Sequence, residues 1–315
     1  MKLLYRKLIN FKYYCKYTLL NTYYNSYLDS ETVYSNGYPI NNRAEWSGKM
    51  ISFNSNTDPK VLSNFISKNG YLWIENFFDR SHIYSLEQKS KTYLNLKKAS
   101  VFKLPTYRAK FHKDIMAMER EQFYLRFSES TQIQKFIEEV FGFEPRIYQR
   151  KLIRVKLPNY PFSTGAHYDF NALRKSQDIV YTIWIPIGDI PANAGAITYL
   201  ADSKEIAKSI EKDIAIEAMN NCQESITSAY NSHFDRDGWI TRQLVSLAKT
   251  HQKKWLLADF EAGDIVIHDP YIIHASSQNT HEDRLPRIST DIRFQSLSSK
   301  PDDRWQNFWD ATDGL

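Results

Sequence analysis

Three side chains in two distant segments constrain this chain most. His167 and Asp169 lie in the run Thr164-Gly-Ala-His-Tyr-Asp-Phe170, and His274 ends the run Gly263-Asp-Ile-Val-Ile-His-Asp-Pro-Tyr-Ile-Ile-His274. Two imidazoles and one carboxylate can occupy one face of a ferrous ion and leave the opposite positions open. In extended chain, residues i and i+2 point to the same side, so His167 and Asp169 can reach one metal while Tyr168 faces away. The long stretch before His274 gives the chain room to pass through several strands of a barrel and return.

His-x-Asp is a common pattern, and it occurs four times, at His112, His167, His233 and His281. Context separates the four. His112 sits in the charged stretch Arg108-Ala-Lys-Phe-His-Lys-Asp-Ile115, which reads as a solvated helix or loop. His233 begins the polar, turn-like His-Phe-Asp-Arg-Asp-Gly-Trp239 and precedes His274 too closely for the intervening strands of a barrel. His281, in Asn279-Thr-His-Glu-Asp-Arg284, reads as an exposed loop histidine.

His167 stands between strand-like segments. Upstream, the alternating stretch within Arg146–Leu157 predicts a strand with one buried face, and Asn159-Tyr-Pro-Phe-Ser-Thr-Gly165 supplies a turn. Downstream, Ile179-Val-Tyr-Thr-Ile-Trp-Ile-Pro-Ile187 is β-branched and aromatic, and Ala194-Gly-Ala-Ile-Thr-Tyr-Leu200 predicts a second strand. In the distal run, Ile265–Ile267 predicts a buried strand, Asp269-Pro270 a bend, and Tyr271–His274 a further strand whose end delivers the histidine. His268 competes for the ligand role, although a place behind the ligands or in the packing suits it better.

These segments resemble the phytanoyl-CoA dioxygenase (PhyH) family of Fe(II)/2-oxoglutarate-dependent oxygenases. The likeness is carried by Thr164–Phe170, Trp184-Ile-Pro-Ile-Gly-Asp-Ile190, Gly195-Ala-Ile-Thr-Tyr-Leu-Ala-Asp-Ser203, Gly263–Ile267, His274-Ala-Ser-Ser-Gln-Asn279 and Arg287-Ile-Ser-Thr-Asp-Ile-Arg-Phe294. Gly70-Tyr-Leu-Trp-Ile-Glu-Asn-Phe-Phe78 is similar to the family's first strand, so the likeness runs over residues 65–300. It implies a double-stranded β-helix, a jelly-roll of mainly β structure with flanking helices, in a single domain.

The resemblance also implies roles. His167, Asp169 and His274 match the iron ligands. Arg287 matches the arginine that holds the distal carboxylate of 2-oxoglutarate, with Arg284 as the rival, because the loop before it is slightly long. A planar, permanently charged fork suits a carboxylate. Ser276 matches a hydroxyl near the co-substrate, while Trp184 and Gln149 match positions lining that pocket, with simple core packing as the alternative for each. The implied reaction consumes dioxygen and converts 2-oxoglutarate to succinate and carbon dioxide while an unactivated C–H bond is oxidised. With Asp169 retained there is no ready coordination site for halide, so hydroxylation, desaturation or oxidative cyclisation is expected rather than halogenation.

Composition sets outer limits. At 315 residues the chain can bury a sizeable core, and its length suits one elaborated domain. A mean hydropathy of −0.53 with 24% charged residues predicts a soluble protein. The two cysteines, Cys15 and Cys222, give no disulfide framework and fit a cytoplasmic enzyme. The net charge of +5 comes without a compact basic block, which argues against nucleic acid and is compatible with anionic small-molecule substrates. The basic, tyrosine-rich first 28 residues read either as an organelle-targeting or interfacial segment or as a packed extension, and are too interrupted for a membrane span.

The chain therefore divides into an N-terminal extension over 1–60, with Tyr34–Arg43 as a turn-rich connector, and an oxygenase domain over 61–315. A helical insertion is expected near 203–255, opening with a Ser203 cap, and helices are expected at 59–69, 79–97, 129–140 and 239–250. An amino-acid-derived or other secondary metabolite is the favoured substrate. An acyl-CoA substrate, a protein-modifying oxygenase, a zinc or manganese cupin and a non-catalytic metal-binding module are the alternatives. The oligomeric state is not legible.

Overall fold

The computed structural model describes residues 31–96, 105–158, 160, 162–173, 178–220, 233–235, 237–283 and 285–310. Its strands are β1 (Tyr34–Ser35), β2 (Tyr38–Pro39), β3 (Ser47–Lys49), β4 (Ser52–Asn54), β5 (Tyr71–Glu75), β6 (Pro145–Ile147), β7 (Leu152–Lys156), β8 (Tyr181–Ile187), β9 (Ile197–Leu200), β10 (Trp255–Leu257), β11 (Ile265–His268), β12 (His274–Ser276) and β13 (Arg287–Ser296). The helices are α1 (Pro59–Asn69), α2 (Arg80–Tyr93), α3 (Pro105–Met118), α4 (Gln122–Ser128), α5 (Thr131–Phe141), α6 (Phe170–Leu173), α7 (Lys204–Asn220) and α8 (Leu244–His251). A larger sheet runs β4-β5-β11-β8-β13-β6, with β7 also paired to β13, and faces a smaller sheet, β12-β9-β10-β3. This is the jelly-roll expected from the sequence.

Period-two patterning explains why the two faces of the larger sheet differ. On β13 the side chains of Ile288, Ile292 and Phe294 point outward, where Ile292 and Phe294 join Leu72, Ile74, Ile183, Ile185, Ile265 and Ile267 of neighbouring strands. Helices α1 and α5 cover that face with Leu62, Ile66, Ile133, Phe136, Ile137 and Val140. The inward set on β13 is Arg287, Ser289, Asp291, Arg293 and Gln295, all buried. Burying such groups is costly unless they are paired, so this face is built for something other than packing. Between the sheets, Tyr71, Trp73, Trp184, Ile197, Tyr199, Phe260 and Val266 form an aromatic-rich inner core.

Helix α1 shows how locally the boundaries are set. Asp58 accepts a hydrogen bond from the Lys60 amide at 2.8 Å, and Pro59 occupies the first turn. Gly70 ends the helix at φ 79°, and a Cβ there would lie 3.0 to 3.1 Å from Lys204 and Ile272.

Several sequence expectations shift. Residues 47–54, assigned to an extension, supply an edge strand to each sheet: β3 pairs with β10 and β4 with β5. The Tyr34–Arg43 connector includes a hairpin whose Ser35 hydroxyl donates to the Ser276 carbonyl at 3.1 Å, so it docks against β12. Helix α8 starts at Leu244 rather than 239, because the residues before it pair with the segment carrying His167: Ile240 N donates to Ala166 O at 2.7 Å, and Ala166 N to Thr241 O at 2.8 Å. His274 opens its strand instead of ending one. Asp269 accepts from the amides of Tyr271 and Ile272, which draws residues 269–272 into a turn. The Ser203 hydroxyl accepts from the Ile273 amide at 2.9 Å, tying helix α7 to the chain just before His274. The calls on residues 1–30 and on Cys222 fall outside the described residues. No described helix is long and apolar enough to cross a membrane.

Ile183 lies at the centre of the covered face and is fully buried. Ile183→Ala is expected to destabilise the fold by about 2–5 kcal/mol through lost burial and a residual cavity, read as a lowered urea midpoint at unchanged slope.

Candidate metal centre

The site begins with a two-residue backbone pairing. His167 N donates to His274 O at 3.0 Å, and His274 N donates to His167 O at 2.8 Å. That bridge sets the two imidazole centroids 4.2 Å apart. Asp169, two residues on, brings a carboxylate to the same side, and the ligand atoms of His167, Asp169 and His274 all lie within 4.8 Å of one another. Their spacing suits a single ion at a facial His-Asp-His set.

Hydrogen bonds fix which atoms face the ion. His167 Nδ1 lies 3.0 Å from the Gly165 carbonyl and His274 Nδ1 lies 3.1 Å from the Ile272 carbonyl. A carbonyl only accepts, so each Nδ1 carries the proton and each Nε2 is free to ligate. Burial pushes both imidazoles below their usual pKa, strongly so for His274, where His167 and His268 add to the effect. Asp169 is held well below the ordinary carboxylate range: burial alone would raise it, but Arg293, His268 and His274 outweigh that. The three groups therefore stand in the protonation states that a metal requires.

The carboxylate is also oriented. Thr182 Oγ1 donates to Asp169 Oδ2 at 2.6 Å, and His268 Nε2 lies 3.4 Å from the same oxygen while its Nδ1 accepts from Tyr199 at 2.9 Å. His268 thus sits behind the triad. Arg293 Nη2 lies 3.6 Å from Asp169 Oδ1. Gly165 allows a close approach of the 239–241 segment: a Cβ there would fall 2.7 Å from the Trp239 ring and 2.8 Å from the Thr241 carbonyl. The other His-x-Asp histidines lie elsewhere. His112 is exposed on α3, His233 pairs with Glu217 at 3.5 Å, and His281 contacts Asp283 at 3.1 Å.

A cationic wall adjoins the triad. Arg287 and Lys156 are directly opposite on β13 and β7, and Arg154 is opposite Ser289. Arg287 is buried, bonds Ser289 Oγ, lies 5.8 Å over the Trp184 ring, and leaves its Nε without a partner among the described residues. Burial, with Arg154 close by, pushes its pKa down to about 9 against the pull of Asp291. Lys156 is lowered well below the usual lysine value by burial and by Arg287 and Arg154. A buried, incompletely bonded guanidinium beside a second cation calls for an anion, and the carboxylate of a keto acid fits that need. Ser276 Oγ, on the His274 strand, accepts from the Thr164 amide at 3.0 Å. Gln149 is half-buried in the bend between β6 and β7, and no described bond joins it to this wall. The rival Arg284 lies outside the described residues.

Thr182, Arg293, Arg154, Lys156 and Trp239 were not picked out from sequence. The alternation of charge and isoleucine along Arg287-Ile-Ser-Thr-Asp-Ile-Arg293 was the available signal for the wall, since a buried strand has no other use for those charges.

Fold and site together define a jelly-roll oxygenase of the non-haem iron type. The sequence profile of the phytanoyl-CoA dioxygenase (PhyH) family matches residues 66–288, and the chain belongs to that family of Fe(II)/2-oxoglutarate-dependent oxygenases. Solved structures with a similar fold include SnoK, a non-heme α-ketoglutarate-dependent carbocyclase from nogalamycin biosynthesis, at 16% identity over 80% of this chain and 89% of that one, with a TM-score of 0.53. EctD from S. alaskensis, solved with 2-oxoglutarate and 5-hydroxyectoine, is 14% identical over 85% and 93%, with a TM-score of 0.51. The epimerase SnoN, in complex with Fe3+, α-ketoglutarate and nogalamycin RO, is 14% identical over 76% and 84%, with a TM-score of 0.50.

Thr182→Val keeps shape but removes the bond to Asp169. It is expected to weaken Co(II) or Fe(II) binding about 10- to 100-fold, measured by anaerobic metal titration, with little change in secondary structure.

Proposed function

We propose that His167, Asp169 and His274 hold the iron, that Arg287 grips the distal carboxylate of 2-oxoglutarate, and that the enzyme oxidises a C–H bond of a small metabolite. The observation that carries this reading is the buried Arg287 guanidinium, whose Nε has no partner among the described residues, on the same inner face as the Asp169 partner Arg293. With iron, 2-oxoglutarate and dioxygen bound, the centre would supply oxidising power for a C–H bond, dioxygen being the oxidant and the keto acid leaving as succinate and carbon dioxide.

The chain's own residues prepare that chemistry. Nδ1–H bonds to the Gly165 and Ile272 carbonyls aim both imidazoles, and Thr182, His268 and Arg293 hold Asp169 ionised and oriented. Arg287 sets the direction of the co-substrate along the sheet, with Trp184 stacked beneath it and Ser276 on the facing strand. The aromatic inner core of Tyr71, Trp73, Trp184, Tyr199 and Phe260 excludes water from the far side. Asp169 as a third ligand supports hydroxylation, desaturation or oxidative cyclisation over halogenation. A small metabolite is favoured because the fold neighbours named above act on such molecules, and the intact triad with its arginine weighs against a purely binding module.

Alanine at His167, Asp169 or His274 is expected to abolish succinate formation from 2-oxoglutarate, whereas alanine at His112, His233 or His281 leaves it within about twofold. Arg287→Ala should raise the 2-oxoglutarate KM by about 30-fold or more, since it removes a charge-assisted, two-pronged contact. Equal succinate release from the His167 variant and the wild type would contradict the reading.

A further inference from the structure

The three guanidiniums of the inner wall, Arg154, Arg287 and Arg293, outnumber the two carboxylates that answer them, Asp169 and Asp291, before Lys156 is counted. Arg154 and Lys156 on β7 and Arg287 and Arg293 on β13 project to one side of the larger sheet, by their register. Among the described residues, the carboxylates acting on these cations are Asp291 and Asp169. A divalent iron and a doubly charged 2-oxoglutarate cancel each other, so the surplus persists in a loaded site. Unpaired charge enclosed by protein is expensive, and an anionic ligand relieves it.

The cations differ in what is left to them. Arg293 reaches Asp169 through Nη2 and, although its Nε and Nη1 have no partner among the described residues, it is buried beneath Trp305, whose ring centroid lies 3.9 Å from its guanidinium carbon. Arg287 serves the co-substrate. Arg154 gives its Nε to Asp291 Oδ2 at 2.7 Å, which fixes the guanidinium plane, and its side chain remains 37% accessible with both Nη atoms making no described bond. Arg154 stands on the same face as Arg293, the partner of Asp169. Lys156 lies alongside with one hydroxyl partner, Thr164 Oγ1 at 3.3 Å. A fork held by its stem and open at its tips is arranged for two-pronged capture of an oxyanion.

We propose that Arg154, supported by Lys156, is the receptor for an oxyanion group on the primary substrate, so that this oxygenase acts on an anionic metabolite, a carboxylate or a phosphoester. The inference rests on the iron and 2-oxoglutarate reading above and adds a second anion site to it. It also gives Asp291 a purpose, because the carboxylate holds the fork that reads the substrate.

The test uses the full chain loaded with Mn(II) and 2-oxoglutarate, titrated separately with acetate, inorganic phosphate and neutral acetamide, and followed by thermal shift and calorimetry. Wild type should be stabilised by at least one of the two oxyanions and not by acetamide, and the stronger arm identifies carboxylate or phosphate chemistry. Arg154→Gln should weaken that oxyanion about tenfold or more, Arg154→Lys, which keeps the charge but loses the fork, should recover only part of it, and 2-oxoglutarate affinity should stay within about threefold in both. The proposal is overturned by an oxyanion response that is absent in wild type or unchanged in Arg154→Gln. It is equally overturned if Arg154→Gln weakens 2-oxoglutarate as much as Arg287→Ala does, since Arg154 would then belong to the co-substrate. Failure of wild type to bind 2-oxoglutarate at all would instead sink the underlying functional reading.

Discussion

The reciprocal backbone pairing of His167 with His274 is the contact on which the rest of the site depends. Two hydrogen bonds of ordinary length bring together rings that are far apart in sequence. Each partner is braced from behind. Ala166 is paired to Thr241, and the chain before His274 is tied to Leu200 and Ser203. Such bonds are individually worth about 1 kcal/mol, so precision comes from their number and from the packed strands around them. The spacing of the two histidines therefore rests on bonds to the smaller sheet, while Asp169 is oriented by Thr182, His268 and Arg293 of the larger one.

The larger sheet supplies the electrostatics. Its outer face is ordinary hydrophobic packing, while its inner face lines up Arg154, Lys156, Arg287, Asp291 and Arg293 within a few pleats of the triad. Such charges destabilise a core unless a ligand completes their pairing, which makes the wall a functional feature maintained against the stability of the fold. Arg293 links the two sheets' roles, since it compensates Asp169 and is itself covered by Trp305.

Much of this was legible in the sequence. The strands at 181–187, 197–200 and 265–268 were readable because β-branched runs bounded by Gly and Pro leave little choice, and the triad was readable because only His167 had such neighbours. The integration of residues 31–58 was not legible. Strands of two or three residues, held by long-range pairing to β5 and β10, carry no periodic signal of their own. Helix α3 was left open between helix and loop at Arg108–Ile115, and α4 was missed because a seven-residue helix carries little periodic signal. Thr182 and Arg154 escaped notice because their roles arise from cross-strand register, which no single segment encodes. The turn at Asp269–Ile272 displaced the predicted strand because the Asp269 carboxylate captured the Tyr271 amide while its backbone carbonyl took the Ile272 amide.

The most direct test of the central claim is spectroscopic. Anaerobic protein given Fe(II) and then 2-oxoglutarate should develop the weak visible charge-transfer band of a keto acid chelated to iron, saturating at one equivalent per chain, and the band should be lost in Asp169→Ala. Well-folded wild-type protein that binds neither, or that develops the same band without Asp169, would contradict the assignment of this centre.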